Sequence, residues 1–218
     1  QSTILSKSLR SFPEKWHGLK DKETRFRQRY LDLIVNPESK KILETRSKVI
    51  KLIREYLHEN SFVEVETPIL QTKAGGAIAK PFTTHHNALG LDMYLRIAPE
   101  LYLKRLIIGG FEKVFELGKI FRNEGIDQTH LPEFTMLESY QAYVDANSVM
   151  DMVEDMCTYV FKNLETDTKL HFGENTADFS GPWKRVSMFD MVSEKLNIDI
   201  KFNSDFKKIS KELKKQGV

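Results

Sequence analysis

The 218 residues are 40% apolar and 29% charged, with 14 Phe and 7 Tyr, which is the make-up of an ordinary globular chain and excludes a disordered or collagen-like one. Thirty-three Lys and Arg against 31 Asp and Glu leave a formal charge of +2, so charge by itself does not announce a nucleic-acid partner. The length fits one domain with an appendage, and the single cysteine, Cys157, excludes an internal disulfide, a CxxC pair and a zinc quartet, pointing to a reducing compartment.

No stretch approaches a membrane span: the longest candidate, Leu101 to Phe111, is broken by Lys104, Arg105 and a glycine pair. Residues 1–20 hold Pro13, Gly18, Phe12 and Trp16 among short polar runs and read as a linker laid over a surface. Lys22 to Arg29 is dense in charge, with Phe26 and Tyr30 four apart, and predicts a solvated surface helix with a small apolar stripe. Pro37 opens a long amphipathic helix through Ile42, Val49, Ile50, Ile53, Tyr56 and Leu57, ending near Asn60. The period then drops to two at Phe62, Val63 and Val65, a short strand stopped by Thr67 and Pro68.

Lys80 to Thr84 and Leu91 to Ile97 read as strands around a turn at Asn87 to Gly90, and Pro99 begins an apolar helix reaching Gly110. Lys113 to Arg122 and Glu133 to Val144 read as paired strands whose connecting loop, Asn123 to Pro132, is polar enough to be a working loop. Asn147 is expected to cap a helix to about Asn163, and two more follow from Ser187 to Lys195 and Asp205 to Lys215. Hairpin-like connections predict an α+β fold, an antiparallel β-sheet flanked by helices, since parallel pairs need a crossover.

Residues two apart on a strand share a face, so Arg122 and Glu124 project together, and Phe134, Met136, Glu138 and Tyr140 form a second set on the returning strand. A guanidinium fork suits phosphate or carboxylate oxygens, an aromatic plate suits a base, and a buried acid beside a phenol suits a cation. Blander readings exist: a surface ion pair for Arg122 and Glu124, an edge gatekeeper for Glu138, a flexible turn for Gly75 and Gly76, and a polar loop element for His85 and His86. No GxxxxGK[ST] or GxGxxG phosphate loop occurs.

The segment Phe121-Arg-Asn-Glu-Gly-Ile-Asp-Gln-Thr-His-Leu-Pro-Glu-Phe-Thr resembles motif 2 of the class II aminoacyl-tRNA synthetases. Arg25-Phe-Arg-Gln-Arg-Tyr-Leu-Asp-Leu, Val63-Glu-Val-Glu-Thr-Pro, Ala74-Gly-Gly-Ala and Ala98-Pro-Glu-Leu-Tyr-Leu-Lys-Arg-Leu are similar to the lysyl-tRNA synthetase family in particular. The resemblance runs from about Leu9 to Val186, and it departs at Leu131, where lysine-specific members usually carry Asn and Leu is more typical of the aspartate and asparagine relatives. No glycine-rich, arginine-ended motif 3 is found.

What the resemblance implies is the class II catalytic fold, incomplete at its C-terminus, with residues 1–20 as a linker from an N-terminal anticodon-binding domain and 21–218 as the N-terminal portion of the catalytic domain. It implies ATP-dependent activation of lysine to lysyl-adenylate and transfer to tRNA(Lys) in a full-length, cytoplasmic protein, dimeric through the motif 1 region around Pro68. Arg122, the one catalytic residue implied, would hold the α-phosphate and the substrate carboxylate. Glu124, His130 and Phe134 would bind ATP, at the adenine end, the γ-phosphate and the adenine ring respectively. Gly76 and Glu100 would receive the α-amino group, and Glu138 and Tyr140 the ε-ammonium. Magnesium is implied as well, with its ligands outside these residues. The alternative is a truncated synthetase-like module that binds or regulates. The lysines from Lys201 to Lys215 read either as tRNA-backbone contacts or as the solvated face of a helix.

Overall fold

A computed structural model describes residues 2–7, 9, 19–127, 129–164, 166–201 and 205–215. Much of the linker expected over residues 1–20, including Phe12, Pro13, Trp16 and Gly18, lies outside the described residues. The chain forms two compact units, residues 1–167 and 168–218.

The first unit opens with α1 (Lys22–Arg27) and α2 (Arg29–Val35), separated at Gln28, whose φ of −116° and ψ of 57° break the helix. The expected surface helix is present, with none of its residues buried, but it breaks at Gln28, and two of its arginines turn to a buried acid on α2. Arg25 Nε and Arg29 Nη1 donate to Asp32 at 2.7 and 2.6 Å, and Asn36 donates at 2.7 Å, around a carboxylate with no exposed surface. The bond from Asn36, followed by those from Arg25 and Arg29, holds that carboxyl well below the usual carboxylate range against the opposing effect of burial.

The long helix α3 (Pro37–Glu59) starts and stops within a residue of its sequence signals: Pro37 is at the first turn, where its missing N–H costs nothing, and Asn60 closes the end. It packs against α5 (Ala146–Leu164), and between them lies a core of Tyr56, Leu57, Phe62 and Phe115, joined by Ile53, Leu117, Leu137, Met152, Met156 and Tyr159. Asp145, rather than the expected Asn147, caps α5, accepting from the Ser148 N–H and hydroxyl at 2.9 Å each.

Strands β5 (Lys113–Phe121) and β6 (Glu133–Gln141) pair antiparallel in the register Glu116 with Glu138, Gly118 with Met136 and Ile120 with Phe134. The expectation of antiparallel pairing is corrected at one place: β1 (Val63–Glu64) runs parallel to β5, with Val63 opposite Val114. Its return path is supplied by everything between Glu64 and Lys113, a crossover long enough for parallel pairing. A second sheet has the order β2 (Leu70–Gln71), β4 (Leu91–Leu95), β3 (Thr83–His86), all antiparallel. His85 and His86 are thus strand residues, not loop, and His85 Nδ1 sits 2.8 Å from its cross-strand partner Asp92.

Strand alternation separates the two faces of the β5–β6 ladder. Phe115, Leu117 and Leu137 face α3 and α5, so the even-numbered residues Glu116, Gly118, Phe134, Met136, Glu138 and Tyr140 share the opposite face. There Arg96, just past β4, is buried with Glu116 in an ion pair, and Thr67 donates to the same carboxylate at 2.6 Å through its hydroxyl. Arg96 also donates to the Lys119 carbonyl at 2.9 Å and the Thr67 carbonyl at 3.2 Å. A Cβ on Gly118 would stand 2.5 Å from Arg96 Nη2, so only glycine leaves room for the guanidinium. Helix α4 (Glu100–Ile108) follows at once and contributes Leu103 to the core.

The second unit holds a hairpin, β7 (Lys169–Phe172) and β8 (Asn175–Asp178), which the sequence patterning misses, then α6 (Met188–Leu196), capped by Ser187, and α7 (Phe206–Lys215). On α7, Ile209 and Leu213 are half-buried while Lys207, Lys208, Lys211, Lys214 and Lys215 are exposed, the arrangement of a solvated amphipathic face.

Removing one partner of a buried pair strands the other's charge. Arg96→Met should therefore lower the unfolding free energy by about 3–5 kcal/mol in urea titrations, and adding Glu116→Leu should restore most of the loss. A double variant as weak as the single one would show that packing, not charge, is at stake.

Candidate functional site

Strand β5 ends at Phe121, so Arg122 and Glu124 do not project from a strand as the two-residue rule expects. Arg122 keeps one further bond, donating its N–H to Pro132 at 2.9 Å, and the chain then leaves the ladder. Asn123 donates to the Lys80 carbonyl at 2.7 Å, and Lys80 donates its N–H to Glu124 at 3.4 Å, so the loop is moored to the segment before β3. Tertiary hydrogen bonds, not strand parity, bring both side chains to one place.

That place is a cleft of about 220 Å³ lined by Arg122, Glu124, Gly125, Thr129, His130, Leu131 and Phe134. The Arg122 guanidinium carbon stands 5.3 Å from the centre of the Phe134 ring, within cation–π range, and its Nη2 lies 3.5 Å from the Ile97 carbonyl. Its Nε is buried and finds no hydrogen-bond partner among the described residues. An orphaned guanidinium donor at the wall of a cleft is available to an anionic oxygen.

The acidic set lies on the same face of the ladder. Tyr140 donates its hydroxyl to Glu138 at 3.1 Å. Burial raises the Glu138 carboxyl above its ordinary value, opposed by the Tyr140 hydrogen bond and reinforced by the negative charges of Glu100 and Glu116. Burial and the Glu138 charge likewise push the Tyr140 phenol up. Glu100 heads α4, with Lys104 Nζ 2.5 Å from its carboxylate. Gly76 packs on this helix start: its φ is +86°, and a Cβ there would lie 3.0 Å from Glu100 Cβ and 3.2 Å from Ala98 Cβ. The turn at Gly75 and Gly76 is thus shaped by a close approach as well as by its backbone conformation.

The residues that the resemblance implies for the site fall in two clusters, Arg122, Glu124, His130 and Phe134 around the cleft, and Gly76, Glu100, Glu138 and Tyr140 around the acidic slot, while His85 and His86 lie on β3 and belong to neither. Arg96, Glu116 and Asp127 were missed. The signal for Arg96 is a lone cation inside the apolar run Leu95, Ile97, Ala98, and that for Asp127 is an acid three residues before His130. Among the described residues no group of three or more His, Cys, Asp and Glu is arranged to hold a metal ion, and no helix is long and apolar enough to cross a membrane.

Residues 21–216 match the family model described as tRNA synthetases class II (D, K and N). The chain belongs to this family. Three similar relatives, each named lysine–tRNA ligase, come from Clostridium tetani, 56% identical over 196 residues, Thermotoga maritima, 54% over 216, and Thermoanaerobacter sp. strain X514, 53% over 213. These matches take in 90%, 99% and 96% of this chain but 39%, 43% and 43% of the respective relatives, so the chain spans about two fifths of the length of the curated relatives it matches. The class II synthetase domain accounts for the α+β architecture, with its antiparallel β5–β6 ladder between two faces.

Gly76→Ala combines a left-handed backbone with two crowded contacts, and it should cost about 1 kcal/mol or more in urea unfolding. An unchanged midpoint would mean that the turn relaxes freely.

Proposed function

We propose that this chain supplies the central part of the activating site of a lysine–tRNA ligase, which joins lysine to ATP as lysyl-adenylate and passes it to the 3′ end of tRNA(Lys). The observation that carries the reading is the half-buried Glu138 hydrogen-bonded to Tyr140, on the face of the ladder that also presents Phe134. An aspartate side chain would need a cation there; the slot offers acids, and an ammonium satisfies them. The relatives' names agree with this choice within the D, K and N family.

In this reading Phe134 stacks on adenine, Glu124 meets its amino end, and His130 takes the terminal phosphate. Gly76 leaves room for the α-amino group beside Glu100, while Glu138 and Tyr140 hold the ε-ammonium. Arg122 spans the α-phosphate and the lysine carboxylate. One carboxylate oxygen attacks the α-phosphorus, the new P–O bond forms as the bond to the bridging oxygen breaks, and pyrophosphate leaves with the electron pair. No side chain need accept a proton in that step; the work is alignment and neutralisation of growing negative charge by the guanidinium. A ribose hydroxyl of the tRNA terminus then displaces AMP. Magnesium belongs with such a triphosphate, but the described residues hold no cluster of carboxylates for it, and no step is assigned to it.

Exposed apolar side chains on α1 to α3 and at the motif 1 region, Phe26, Tyr30, Ile34, Ile42, Val63 and Leu70, support a homodimer through that surface. Residues 21–218 then form part of a catalytic domain, and the lone Cys157 suits a cytoplasmic setting.

In the full-length protein, ATP–pyrophosphate exchange should depend on lysine, and Arg122→Ala should abolish it without shifting the melting curve; exchange driven by aspartate or asparagine instead, or wild-type turnover in the variant, would sink the assignment. A second expectation follows from Glu138. Its raised carboxyl must be ionised to hold an ammonium, so lysine affinity should weaken as pH falls toward the carboxyl's raised value, beginning above the 4.5 of an ordinary glutamate. Calorimetry at mildly acidic pH should record proton release on lysine binding, and Glu138→Gln should remove it.

A further inference from the structure

The loop between β5 and β6 carries a carboxylate to which the reading above gives no role. Asp127 accepts from the backbone N–H groups of Thr129 and His130 at 2.6 and 2.8 Å and from the Thr129 hydroxyl at 2.8 Å. Its two oxygens also stand 2.9 and 2.8 Å from His130 Nδ1. The Thr129 bonds, backbone first, hold its carboxyl well below the usual carboxylate range, so it is an anion and purely an acceptor. Whatever faces it must donate, and Nδ1 therefore carries a hydrogen. The Thr129 hydroxyl fits the same assignment: its proton goes to Asp127, so at 3.0 Å from Nδ1 it accepts.

With the hydrogen on Nδ1, a neutral imidazole keeps only a lone pair on Nε2, the nitrogen left for the cleft. A phosphate oxygen is also an acceptor, and two acceptors repel. Contact between them requires a second ring proton. The charged groups facing the ring are Asp127 on its own loop, and Arg122 and Glu124 on the same cleft.

Resting on the assignment of ATP to this cleft, we infer that Asp127 is a positioning residue: it fixes the His130 ring through Nδ1 so that a polyphosphate at Nε2 binds together with a proton. The carboxylate compensates the imidazolium that forms, so the loop presents a positive donor only when an anion arrives. An exposed pair of this kind adds little to stability, which separates its effect on binding from any effect on folding.

The test is calorimetry of ATP binding to the full-length protein near pH 8, in two buffers of different ionisation enthalpy. ATP should bring in about one proton and AMP, lacking the outer phosphates, none. Asp127→Asn should lose that uptake and raise the ATP KM about tenfold, the loss of one charge-assisted hydrogen bond, with the lysine KM and the melting temperature unchanged. ATP binding without proton uptake, an unaltered ATP KM in the variant, or a parallel rise in both KM values would overturn the inference. The two readings fail separately: wild-type protein that takes up ATP and a proton but does not exchange with lysine loses the lysine assignment alone. Protein that does not bind ATP loses both.

Discussion

A buried arginine ties the functional half of this molecule together. Arg96 leaves the end of β4, enters the face of the β5–β6 ladder opposite the helices, and meets Glu116 there with both side chains almost fully enclosed. Two charges in so dry a place are tolerable only when paired and hydrogen-bonded, and Thr67 and the Lys119 carbonyl complete the set. The pair thereby locks the smaller sheet onto the larger one. Because Ile97, Ala98 and the start of α4 follow Arg96 directly, it also fixes where Glu100 stands and where the Ile97 carbonyl meets Arg122.

The same pair sets the electrostatics of the acidic slot. Glu116 and Glu138 are direct cross-strand partners, a placement that would set two free carboxylates against each other. With Arg96 on Glu116, one of them is already balanced, and Glu138 remains the acid with a phenol as its immediate partner. Burial and the residual repulsion from Glu100 and Glu116 keep its proton affinity high, which favours any ligand that brings a positive charge. Arg122 works in the reverse sense, a half-buried cation whose Nε lacks a partner among the described residues and whose guanidinium lies over Phe134. The two clusters are complementary to a molecule that is anionic at one end and cationic at the other.

Much of the fold was legible because its signals are local. Pro37 and Asn60 bound α3, Ser187 caps α6, and β5 and β6 declare themselves by alternation and a polar loop between them. The even-numbered face of β6 followed from strand parity alone, and Phe134, Glu138 and Tyr140 do share it. Other elements were not legible. The two-residue strands β1 and β2 are too short to show a period, and β1 pairs in parallel with a strand some fifty residues on. The charged helix over Lys22 to Arg29 is at the surface as its composition indicates, but the convergence of Arg25 and Arg29 on Asp32 was not legible, because it arises only after Gln28 breaks the helix.

The amino-acid sequence by itself determined the helices, the principal hairpin, the residue types of the candidate site and, through its motif blocks, the family. These rest on periodicity, capping and side-chain chemistry, which act over a few neighbouring residues. Only the tertiary structure decided which charges are buried and which of them face one another. Glu116 and Asp32 look like any other charged residues along the chain, Arg96 stands out only by its apolar neighbours, and whether such a group is solvated or enclosed depends on segments distant in sequence closing over it. Desolvation is a property of the assembled surroundings, and no local pattern encodes it.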